Sequence, residues 1–119
     1  MAKFGGSAPR KRISRSYATG AAAIALAIAP GWRFKLKGIS LHLSAAPTSS
    51  ENLTVTLNSA YGAAYNAVIY TRDLTVGSLT DLYIEFGDNY VFEVNESLTV
   101  AWANTNTKTY GIVAYTEKV

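Results

Sequence analysis

The sequence predicts an all-β chain: a single β-sandwich of about eight strands behind an extended, basic N-terminal arm. Apolar residues recur with a period of two along most of the chain, and no stretch repeats them with the helical period. Threonine and tyrosine, both strand-favouring, are abundant, with eight tyrosines in 119 residues. Charge is divided along the chain. Residues 1–37 carry eight basic side chains (Lys3, Arg10, Lys11, Arg12, Arg15, Arg33, Lys35, Lys37) and no acid, whereas residues 38–119 carry three basic and all eight acidic ones.

A chain of 119 residues is one domain. We place the arm at residues 1–20 and the sandwich at residues 21–119. A body of about 95 residues is near the lower size for a self-sufficient sandwich core, so partner subunits are expected. The absence of cysteine excludes disulfides, thiolate metal sites and cysteine nucleophiles. The single histidine, His42, excludes an imidazole cluster for zinc. No cofactor and no metal are expected. Residues 10–29 have the outline of a secretory signal, with Ala27-Ile28-Ala29 as the cut, but Pro30 directly after it disfavours cleavage. The apolar run is too short to span a bilayer, so no membrane partner is expected.

Ile24, Leu26 and Ile28 alternate with alanines as a first strand. Trp32, Phe34 and Leu36 share a face, with Arg33, Lys35 and Lys37 opposite. Beyond Gly38 the apolar set becomes Ile39, Leu41 and Leu43. A one-residue change of parity at a glycine predicts a β-bulge in one long bent strand over 32–44. Leu53, Val55 and Leu57 form a half-buried strand, residues 65–71 a strand apolar on both faces, and 72–81 a connection around Gly77. Leu82, Ile84 and Phe86 are expected to face Tyr90, Phe92 and Val94 across the turn Gly87-Asp88-Asn89. Leu98, Val100 and Trp102 are expected to face Tyr110 and Ile112 in a last hairpin. Its second face (Thr99, Ala101, Ala103, Val113, Tyr115) is uncharged and is the expected oligomer interface. Together these strands make a jelly-roll-like sandwich.

Catalytic constellations are weak. His42, with Ser40 and Ser44, lies on the solvent side of its strand and lacks an orienting acid in the sequence pattern, so it reads as a surface residue. Glu85 and Glu93, two strand positions out of register on the outer face of the expected hairpin, resemble a glycosidase pair, but a domain this small lacks the walls for a deep cleft and they read as a solvated face. Asp88 alone falls short of a calcium site. No Gly-rich phosphate loop is present, and no enzymatic activity is expected. The basic run Arg10-Lys11-Arg12-x-x-Arg15 is the functional element with force, and Arg33, Lys35 and Lys37 extend it onto the first long strand.

A basic arm ahead of a small cysteine-free sandwich, with the strands Leu53–Leu57 and Leu98–Asn104 and the turn Gly87-Asp88-Asn89, resembles small virion proteins, above all bacteriophage head decoration (cement) proteins. The resemblance implies a non-enzymatic structural protein on the capsid surface, made in the host cytoplasm. Its partners would be the major capsid protein or copies of itself, in a homo-oligomer, a trimer by that resemblance. Partner contacts would run through the eight basic residues named above. One rival reading is a carbohydrate-binding or fibre-tip module using Trp32, Tyr61, Tyr65 or Tyr83 as a platform. The other is a coat subunit whose arm contacts packaged nucleic acid.

Overall fold

The computed structural model describes residues 12–119. They form nine strands: β1 (Arg12–Gly20), β2 (Ile24–Ile28), β3 (Phe34–Leu43), β4 (Asn52–Asn58), β5 (Ala67–Asp73), β6 (Asp81–Glu85), β7 (Val91–Phe92), β8 (Ser97–Trp102) and β9 (Tyr110–Lys118). One 3₁₀ turn, Ala63–Tyr65, interrupts the β4–β5 connection. One sheet runs β1-β9-β3-β6, with β7 also on β3, and the other runs β2-β8-β4-β5.

The pairing is nested. β1 pairs β9, β2 pairs β8, β3 pairs β6 and β7, and β4 pairs β5, all antiparallel. The chain is therefore one long hairpin folded at the β4–β5 connection. Rolling it brings β9 against β3 and β8 against β4, which closes the two sheets. This is a jelly roll, and it holds the expected all-β sandwich architecture.

The core lies between the sheets. Phe34, Leu36, Ile39, Leu53, Val55, Phe92, Leu98 and Val100 are fully buried, each worth about 1.5–3 kcal/mol of transfer free energy. Phe34 and Phe92, paired across β3 and β7, stack with ring centroids 4.6 Å apart. The bulge in β3 falls where the parity changes. Leu36 faces Thr116 and Gly38 faces Tyr115, so Lys37 is the extra residue. It lets Phe34 and Leu36 point inward on one side and Ile39, Leu41 and Leu43 on the other.

Three expectations fail. The arm boundary at residue 20 is too late, because residues 12–20 pair with β9 residue for residue, from Arg12 against Lys118 to Gly20 against Tyr110. The segment holds Ile13, Tyr17 and Ala18 but no apolar alternation strong enough to mark it as a strand. With β2 it supplies one strand to each sheet, so a cut after Ala29 would remove two strands.

The 82–94 hairpin does not form. β6 and β7 run in the same direction, one after the other, along β3, and the chain loops out at Phe86–Tyr90 between them. Ile84, Phe86 and Phe92 are still buried, but Val94 is exposed. Inward–outward alternation is the same whether two strands pair with each other or with a common third, so the pattern alone does not distinguish them.

The last hairpin is likewise an arch. β8 lies in one sheet and β9 in the other. The connection over 103–109 is long enough to cross the roughly 10 Å between packed sheets. Trp102 and Tyr110 nevertheless both point into the core.

Candidate functional site

The basic side chains expected to extend a positive patch onto the body are held by the body's own acids. Arg33 Nε lies 3.1 Å from Glu93 Oε1. Lys35 Nζ and Lys37 Nζ lie 3.3 and 2.8 Å from the same Asp88 oxygen, and Lys37 is also 3.6 Å from Glu117. The hydrogen bonds from Lys37 and then Lys35 pull the Asp88 carboxyl down to about 2. The Asp88 bond correspondingly raises Lys37. Asp88 thus ties the Phe86–Tyr90 loop to the bulge of β3. Lys118 is drawn to the face of Trp32, with Nζ 4.5 Å from the ring centroid. Of the remaining predicted partner residues, Arg15 is exposed on β1 and Arg12 opens that strand, while Lys3, Arg10 and Lys11 lie outside the described residues.

The expected oligomer interface is not one face. Thr99 and Ala101 lie on the outer side of the β2-β8-β4-β5 sheet and Ala103 just beyond it, whereas Val113 and Tyr115 belong to β9 in the opposite sheet. The arch between β8 and β9 separates them. What the second sheet does present is a run of small uncharged residues in register, Ala27, Thr99 and Thr56 beside Ala25, Ala101 and Thr54.

The outer face of the first sheet carries a shallow groove that the sequence pattern did not single out. Two rows cross β1, β9, β3 and β6 in register. One reads Tyr17, Val113, Ser40, Tyr83, and the next reads Thr19, Gly111, His42, Asp81. Depressions of 510 Å³ and 360 Å³ flank β9 and share Gly111 and Val113. His42 Nδ1 and Asp81 Oδ1 are 2.7 Å apart on the rim, both exposed, and Thr80 Oγ1 donates to the other Asp81 oxygen at 3.2 Å. The His42 bond holds the Asp81 carboxyl below its ordinary value. Only the β3–β6 register brings this acid to the histidine, 39 residues apart, which is why alternation within β3 could not reveal it. Among the described residues no serine hydroxyl bonds His42, and Ser44 Oγ instead accepts from the Thr109 amide at 3.1 Å.

Glu85 and Glu93 do not face each other across a hairpin: Glu85 lies opposite Gly38 in β6, and Glu93 pairs with Arg33 beyond β7. Trp32, Tyr61, Tyr65 and Tyr83, the platform candidates, are all exposed. Among the described residues no group of three or more His, Asp or Glu side chains could hold a metal ion. No helix among them is long and apolar enough to cross a membrane.

Comparison of the chain with protein-family models, with curated proteins and with solved structures found no match.

Proposed function

We propose that the protein is a non-enzymatic structural subunit of a virus or bacteriophage particle, acting as a decoration protein on the capsid surface. The observation that supports this reading most is the distribution of charge. Arg33, Lys35 and Lys37 are engaged by Glu93, Asp88 and Glu117 within the body. The chain's concentration of positive charge is then Lys3, Arg10, Lys11, Arg12 and Arg15, at and ahead of the edge strand β1. A rigid jelly roll with basic residues at the start of an edge strand suits attachment to a neighbouring acidic subunit. The jelly roll is also an architecture of capsid proteins, although lectin domains share it. The run of small uncharged residues on the outer side of β2, β8 and β4 offers a surface for self-association into a homo-oligomer.

The experiment is mass spectrometry of gradient-purified particles from the source. The reading requires the chain in the particle fraction, in fixed ratio to the major shell protein and released before the shell opens. Its absence from particles would overturn the reading. Retention only with the packaged nucleic acid after shell disruption would make it an internal coat component instead.

A further inference from the structure

The groove on the outer face of the first sheet is built around a glycine that neither backbone nor packing requires. Gly111 does not adopt a positive φ, and a Cβ built there meets nothing within 4 Å. A Cβ would therefore stand in open space, and a side chain growing from it would enter the space between Thr19 and His42. Gly38, on the same face, is different. A Cβ there would come 2.5 Å from the Tyr83 hydroxyl oxygen. Tyr83 therefore lies down over Gly38, with its ring edge-on to Tyr115 at 6.4 Å. One glycine seats a wall of the groove, and the other leaves its floor open.

The surroundings define what fits. The middle of the groove is β9 and β3, interior strands hydrogen-bonded on both sides, so no free backbone edge opens there and recognition at the centre falls to side chains. No lysine or arginine lines either depression, and the lone cationic candidate, His42, is held by Asp81. Phosphates and nucleic acid are therefore poorly served. Tyr17 and Tyr83 end one row three strands apart, about 14 Å, over the small residues Val113 and Ser40. The polar row with His42 and Asp81 lies one residue pair away, about 7 Å along the strands. An apolar strip beside a hydroxyl-bonding strip matches a ring with a C–H face and a hydroxyl edge. The larger depression, 510 Å³, lies within the roughly 300–1,000 Å³ of small-molecule sites.

We infer that this groove binds a short neutral oligosaccharide, which packs on Tyr83 and Val113 over Gly111 and is hydrogen-bonded by Asp81 and His42. The inference goes beyond the structural role proposed above and does not depend on it.

The test titrates the isotope-labelled full chain with cellotriose, mannotriose and triacetylchitotriose while amide shifts are followed by NMR. At least one sugar should give saturable shifts centred on Gly111, His42 and Tyr83. Gly111→Val, whose Cβ meets nothing within 4 Å, should abolish the shifts while the amide spectrum stays that of a folded chain. Asp81→Asn should weaken binding at least about tenfold. Three outcomes would overturn the inference. None of the sugars saturates the site; a sugar binds equally well to both variants; or sulphated oligosaccharide binds more tightly than any neutral one, marking charge as the driver. A dimer in the wild type that becomes monomeric in Gly111→Val would also overturn it, because a second copy would then be the occupant. Particle attachment should be unchanged in both variants, which separates this site from the basic segment.

Discussion

Lys37 and Asp88 lie 2.8 Å apart, and through that contact the extra residue of the β3 bulge holds the loop that separates β6 from β7. The bulge places a lysine where the loop brings its acid, so a local irregularity in one strand fixes a long-range connection. Asp88 is depressed to about 2 from an ordinary 3.8 by Lys37 and Lys35, and Asp73 to about 2 by hydrogen bonds from Ser50 and Thr75. Between those values the unfolded chain binds more protons than the folded one, so stability rises with pH there. The contribution is complete above about pH 4 and is lost as the pH falls through about 2. Thermal melts across that window should show the loss, and Asp88→Asn should flatten part of it. An unchanged acid profile in that variant would mean that the pair is screened to no effect.

Asn104 is 2 % exposed and joins three segments. Its Nδ2 donates to the carbonyls of Ala22 and Lys108 at 2.7 and 2.9 Å, and its Oδ1 accepts from the Lys108 amide at 2.9 Å. Its φ of +51° is one that asparagine tolerates better than alanine does. Asn104→Ala should cost about 2–4 kcal/mol, from three hydrogen bonds at about 1 kcal/mol each and the left-handed backbone. Asn104→Asp should also destabilise, since a carboxylate cannot donate to the two carbonyls. Urea unfolding measures both.

Trp102 is 2 % exposed, and its indole N–H has no partner among the described residues. Trp102→Ala should cost about 3–5 kcal/mol through lost burial and the cavity. Trp102→Phe removes the unpartnered donor along with part of the ring, so the two effects oppose and the cost should stay near about 1 kcal/mol. Calorimetry that found Phe as costly as Ala would show that the N–H is satisfied in solution.

Much of the inward-facing set was legible, because alternation reports which side chains are buried. The bulge at Gly38 and the burial of Phe34, Leu41 and Trp102 followed from parity alone. Partner identity was not legible. The pattern of 82–94 fits a hairpin and an interrupted edge strand equally, and β8 and β9 read as neighbours although they lie in opposite sheets. β1 was missed because its residues, Arg12-Ile13-Ser14-Arg15-Ser16-Tyr17, look like a charged tail. Pairing with β9 makes them a strand. The groove was invisible for the same reason: Gly111, His42 and Asp81 come from three strands whose order had to be known first.

The most direct measurement compares the full chain with one beginning at Arg12, in thermal melts and in co-sedimentation with particles stripped of this protein. Removing residues 1–11 takes away Lys3, Arg10 and Lys11 but leaves every pair between β1 and β9. If the basic segment is the attachment element, the melting temperature stays unchanged and co-sedimentation is lost. A further truncation through Gly20 should then lower the melting temperature by exposing the β9 edge. Undiminished co-sedimentation of the chain beginning at Arg12 would contradict the attachment role.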